Sequence, residues 1–215
     1  MTSRICLLLL FLVMPSVAAA QGPVAPINTE PLPWITLDVR VGYPSLGDDE
    51  LTAAGLGVDK TLMPGRAPTM VLGAHGYPLK GSRFKVGVGA EMLMGRASFQ
   101  RKDTDGKAVG AELNRVINGV SGQVSLNFGR GQGWSYLTVG AGPLKFDSFA
   151  GDNPKTSEGA TTLNAGGGGR WFNWDHVGFT VDLRFYLTKA SPGFPGTAAR
   201  GAARIVVLSG GLTFK

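Results

Sequence analysis

Seven charged residues stand at alternate positions inside segments that are otherwise apolar or small: Asp38, Arg40, Lys85, Glu91, Arg170, Asp182 and Arg184. The clearest cases are Leu37-Asp38-Val39-Arg40-Val41 and Val181-Asp182-Leu183-Arg184-Phe185. On an extended chain, residues two apart share a face, so each acid–base pair points the same way. Charges withdrawn from water together must pair, because an unpaired buried ion costs several kcal/mol. The chemistry on offer is an Arg–carboxylate network across an interior. It would act either as a fixed plug or as a gate whose partners exchange to open a thin water or ion path.

Other reactive residues offer less. A lipid hydrolase needs a nucleophile, a histidine and an acid within reach of one another, and the chain has only His75 and His176. His75 lies in Gly73-Ala74-His75-Gly76 without a serine at same-face spacing, and His176 adjoins Asp175 in a short turn. Each reads as a polar interfacial residue, and the protein as a non-enzyme. Gly129-Arg130-Gly131-Gln132-Gly133 lacks the lysine and following helix of a phosphate cradle, so it reads as a turn. Asp48-Asp49-Glu50 reads as a solvated acidic tip rather than a Ca²⁺ site. The only cysteine is Cys6, so the residues after the N-terminal leader contain neither a disulfide framework nor a thiolate metal site. No metal or cofactor is expected.

The elements that must position the seven charges are eight segments of period-two alternation: 34–43, 67–77, 83–95, 113–128, 134–146, 161–172, 177–188 and 203–214. Between them, short connections near 77–82, 129–133 and 172–176 alternate with longer ones at 44–66, 97–112, 147–160 and 189–202, rich in Gly, Pro and charge. Long loops on one side and tight turns on the other are the rhythm of an antiparallel up-and-down transmembrane β-barrel.

A soluble ligand-binding barrel also alternates, with its apolar face inward. The other face decides between them. A water-facing coat should be rich in Lys, Glu and Asp, whereas these segments offer mostly Gly, Ser, Thr and Asn, as in Gly119, Ser121, Gln123, Ser125 and Asn127. Small polar residues fill a narrow lumen. Aromatic residues gather at segment ends, Trp34, Tyr77, Phe84, Phe128, Trp134, Trp171, Trp174 and Phe214 toward the short turns, Tyr43 and Phe146 toward the long loops. There they are expected at the membrane interface.

The N-terminus agrees with export. Arg4 precedes an apolar run from Ile5 to Val13, and Ala18-Ala19-Ala20 supplies a small-residue cleavage pattern. The expected organisation is a signal peptide at 1–20, a Pro-rich tail at 21–33 and a barrel domain at 34–215. The formal charge of +6 is scattered among acidic neighbours and gives no nucleic-acid signature.

In this pattern the chain resembles, over 34–215, the eight-stranded outer-membrane barrels that include the OmpA transmembrane domain and OmpX-like proteins. The resemblance implies insertion by the outer-membrane assembly machinery, reading a C-terminal signal that Ser209, Gly211 and Phe214 match, although Lys215 stands where a final aromatic is expected. It also implies a monomer in the outer membrane of a Gram-negative-type bacterium, in contact with its lipids. Without a peptidoglycan-binding domain after the last strand, cell-wall tethering does not carry over. The expected role is envelope integrity or surface interaction through the loops at 44–66, 97–112, 147–160 and 189–202. A lipid-modifying enzyme and a soluble lipocalin-like carrier of a lipophilic ligand are the alternatives, beside a narrow channel.

Overall fold

The computed structural model describes residues 33–45, 53–54, 56–80, 84–130, 132–190 and 202–215. The signal peptide expected at 1–20 and all but the last residue of the tail expected at 21–33 lie outside that range. Eight strands form: β1 (Ile35–Ser45), β2 (Thr69–Lys80), β3 (Phe84–Lys102), β4 (Ala108–Arg130), β5 (Gly133–Ala150), β6 (Thr156–Trp171), β7 (Val177–Thr188) and β8 (Ala203–Phe214). Each pairs antiparallel with the next, and β8 returns to β1 from Leu37 opposite Phe214 to Ser45 opposite Val206, closing the barrel. Closure leaves no sheet edge within the ring.

Burial along these strands is the reverse of a water-soluble barrel. Along β1, Ile35, Leu37, Val39, Val41 and Tyr43 face out, whereas Thr36, Asp38, Arg40 and Gly42 are buried. Strand β7 repeats this: Phe179, Val181, Leu183, Phe185 and Leu187 point outward, Asp182 and Arg184 inward. Leu163 on β6 is 61% exposed and Arg184 only 2%. An outer wall of Val, Leu and Phe belongs against hydrocarbon. From Val177 to Leu187, ten steps of about 3.3 Å tilted by about 40° rise about 25 Å, the height of such an apolar band. Among the described residues no helix is long and apolar enough to cross a membrane. The crossing is made by strands.

Glycine has a steric reason here. Eight strands curl so tightly that a methyl built on inward-facing Gly168 would overlap the Val181 carbonyl oxygen of β7. At Gly129, before the turn into β5, φ is +127°, open to glycine alone.

Two long connections are much shorter than the sequence suggests. The loop expected at 97–112 is mostly strand: β3 and β4 stay paired up to Lys102 opposite Ala108, past a bulge between Phe99 and Arg101. The turn is only Asp103–Lys107, where the Asp103 carboxylate accepts the amides of Asp105 (3.0 Å) and Lys107 (2.8 Å). The loop expected at 147–160 likewise contracts to 151–155 between β5 and β6. Along 98–112 both faces meet water and backbone pairing needs no apolar stripe, whereas along 147–160 the buried inward positions are Ser148, Ala150 and Glu158, too small or polar to read as one. At 44–66, β1 continues to Ser45, which bridges to Arg66, and a 3-10 turn covers Lys60–Leu62. Most of 189–202 lies outside the described residues.

Candidate functional site

Strand alternation sends all seven predicted charges inward, and all seven are buried. They form layers. Nearest the short turns, Trp134 stacks on Phe172 with ring centroids 4.8 Å apart, and Tyr77 and Thr36 share a hydroxyl hydrogen bond of 2.8 Å. Lys85 belongs to this level, paired across the ladder with Asn127. Above it, Arg170 donates twice to Asp38, from Nε at 3.1 Å and from Nη2 at 2.6 Å, and its guanidinium lies 4.2 Å from the Tyr136 ring centroid. His75 approaches the same carboxylate at 3.7 Å.

The middle layer joins four strands. Arg40 of β1 pairs with Glu91 of β3, and its Nη1 lies 2.8 Å from Asp182 of β7. Arg184, two residues along β7, donates to Asp182 at 2.9 Å and to Glu91 at 3.3 Å. Tyr136 Oη donates to Asp182 and Tyr186 Oη to Glu91, both at 2.8 Å. Two guanidiniums and two carboxylates therefore neutralise one another, and phenols occupy the remaining lone pairs. Such multiply bonded Arg–carboxylate geometry is what makes a buried ion cluster tolerable. Beside it, Gln123 donates to Asn164 (3.1 Å) and accepts from Thr138 (2.9 Å).

Above the charges the interior turns apolar. Val71, Leu93, Ile117, Leu144, Phe146, Ile205 and Val207 form one buried cluster. Higher still, where the long hairpins begin, Arg115 and Glu158 are buried and the Arg115 guanidinium stands 5.5 Å from the centre of the Phe146 ring.

Several expectations are corrected. Tyr77, Trp134 and Phe146 are not interfacial rings but point into the barrel, at 1%, 3% and 1% exposure. Their positions share parity with the inward polar residues, and parity outweighs residue type in a pleated strand. Trp34, Tyr43, Phe84, Phe128, Trp171, Trp174 and Phe214 do face outward. His75 is likewise inside rather than interfacial. Ser209 and Gly211 face the lumen, with Ser209 accepting from Arg40 at 3.4 Å, and Phe214 faces out.

Sequence reasoning missed the phenols of Tyr136 and Tyr186, which lay on faces already read as inward, and the level of Arg115, at the start of the segment expected at 113–128, and Glu158, inside the loop expected at 147–160. Among the described residues no cluster of three or more His, Cys, Asp or Glu could hold a metal.

No protein-family model matches the chain, and no curated protein matches it in sequence. Solved structures match in shape. Neisserial surface protein A aligns with a TM-score of 0.54 at 10% identity, covering 85% of this chain and 97% of that one. The fold is that of the small eight-stranded outer-membrane β-barrels. The attachment invasion locus protein Ail of Yersinia pestis, solved with the heparin analogue sucrose octasulfate, aligns at 0.47 with 15% identity over 84% of this chain and 99% of its own. The outer-membrane protein AlkL in lipid bilayers aligns at 0.36 with 17% identity, over 90% and 93%. In this barrel the lumen is filled rather than open, first by ions and phenols and then by an apolar layer. Eight strands leave room for little else.

Proposed function

We propose that the protein is an outer-membrane barrel, exported by cleavage near Ala20 and non-enzymatic, whose lumen is a closed structural core and whose working surface is outside the cell. The observation that carries this reading is the filled lumen: the Arg40–Glu91–Arg184–Asp182 cluster lies directly beneath the Leu93, Leu144 and Phe146 layer. A solute would have to break both. Among the described residues, the part free to meet partners is the pair of hairpins rising from β3–β4 and β5–β6, with 98–112 exposed throughout. Exposed segments carried on a rigid scaffold are where binding residues concentrate. In this reading Ser209, Gly211 and Phe214 serve insertion, the outward aliphatic wall contacts lipid, and the barrel is a monomer.

The gate is the second reading, favoured by one observation: Arg184 Nη2 reaches both Asp182 at 2.9 Å and Glu91 at 3.3 Å, so its partners could exchange. Single-channel recording on Arg184→Ala in planar bilayers separates the two. A closed core predicts unchanged, negligible conductance with a lower unfolding midpoint in urea. Clear current steps would replace the plug by the gate.

A further inference from the structure

The β4–β5 ladder has a gap. Gly119 pairs with Leu144 and Gly122 with Ala141 in one register, but the two rungs between them, Val120 opposite Pro143 and Ser121 opposite Gly142, are missing. Proline brings no N–H to a ladder and is rare inside a sheet. At membrane depth a weakened ladder is tolerated only where something covers it.

Outside this gap lies a mainly apolar concavity of about 610 Å³, running across β3, β4, β5 and β6. Its outward positions follow from the register as two rows: Met92, Val120, Pro143 and Thr161, then, one pair closer to the hairpins, Met94, Asn118, Lys145 and Gly159. The next row up brings Arg96, exposed and bonded to Asn114 Oδ1 at 2.8 Å. Polarity thus rises along the groove, from thioether and aliphatic groups to Lys145 and Arg96 at its upper rim, where the Asp147 carboxylate stands in the same row as Arg96.

A second, smaller concavity faces the lumen behind it. The two share Leu93, Gly119, Val120, Pro143 and Leu144, and the inner one also touches Glu91 and Tyr186 of the ion cluster. Only the wall at the missing rungs separates them. Gly119 keeps that wall thin, since a methyl there would stand 2.6 Å from Leu144 Cδ1.

We infer that this groove is a binding site for a single-chain anionic amphiphile of the fatty-acid type, taken up from the surrounding leaflet. Its chain lies over Met92, Val120 and Pro143 against the Leu93–Leu144 wall, and its head group pairs with Lys145 and Arg96. The volume falls in the range of small-ligand sites, roughly 300–1,000 Å³, suited to one acyl chain. Lys145 also contacts Asp147 at 3.2 Å, but that carboxylate is shared with Ser157 at 2.6 Å, and the lysine remains 57% exposed to a head group. Charge at the rim and apolar lining below match the two ends of such a molecule.

The probe is stearic acid carrying a mid-chain diazirine, photolysed with the full mature chain in phosphatidylcholine vesicles and mapped by mass spectrometry. Labelling should concentrate on the β3–β6 wall around Met92, Val120 and Leu144, and saturate. Thr161→Trp, which fills the groove from the lipid side without touching the lumen, should reduce it at least tenfold. Arg96→Gln combined with Lys145→Gln should weaken it several-fold. Both variants should keep the heat-dependent gel shift of a folded barrel. Labelling spread evenly over all outward faces, including Val39 and Val181, would mean ordinary annular lipid and overturn the site. Equal saturable labelling by the methyl ester would overturn the anionic head group.

Discussion

Removing the charge of Glu91 is the severest isosteric test of the ion cluster. That carboxylate receives Arg40, Arg184 and the Tyr186 hydroxyl, and with Asp182 it balances two guanidiniums at no more than 3% exposure. Glu91→Gln keeps the shape but leaves two buried cations facing one anion. Breaking a buried pair by removing one partner costs about 3–5 kcal/mol. Because Asp182 still contacts both arginines, the lower end applies, about 3 kcal/mol. Urea unfolding in lipid vesicles, followed by tryptophan fluorescence and linear extrapolation, measures it. Adding Arg184→Met restores the charge balance, so the double variant should recover at least about 1 kcal/mol relative to the sum of the singles, as coupled neighbours do. A loss below about 1 kcal/mol for Glu91→Gln alone, the level of an exposed surface pair, would refute the argument that these ions are mutually dependent. Strict additivity in the double variant would do so as well.

Three further outcomes follow from the wall and the hairpins. Gly168→Ala should lower the unfolding free energy by more than the roughly 1–3 kcal/mol of ordinary overpacking, since the new methyl meets the backbone carbonyl of Val181 and the Tyr136 hydroxyl rather than a movable chain end. The equivalent change at Gly159, where a methyl meets nothing within 4 Å, should be nearly silent in the same assay. Replacing residues 100–112 by Asn-Gly, a two-residue turn between the paired Phe99 and Leu113, should leave the heat-modifiable gel band intact. Loss of that band would show that the hairpin is needed for the barrel to fold.

Much of this architecture was legible in the sequence because a membrane barrel imposes period two without relief. Val39 and Val41 beside Asp38 and Arg40 state which face meets lipid and which meets the lumen, and Gly, Ser and Asn opposite the aliphatics exclude a soluble coat. The seven charges could therefore be assigned to the interior from parity alone. Where hydrocarbon ends, the signal ends with it. Residues 97–112 read as loop because strands bathed in water on both sides need no alternation, and 147–160 because its buried inward positions are Ser148, Ala150 and Glu158 rather than an apolar stripe, yet β3 with β4 and β5 with β6 remain paired there. Residue type also misled where it competed with parity, at Tyr77, Trp134 and Phe146.

Partnership was decided only by the tertiary structure. Asp38 could have bonded to its neighbour Arg40 or to any lumenal cation; strand stagger around the ring delivers Arg170, 132 residues away, to its carboxylate, and sends Arg40 to Glu91 and Asp182. The apolar layer above those ions, and the thin wall at Gly119 and Pro143, depend in the same way on which rows of different strands come level. The sequence by itself determined the two faces of each strand, because facing is a local property of the pleat. Height within the barrel depends on strand stagger and closure, and these appear only once β8 has paired with β1.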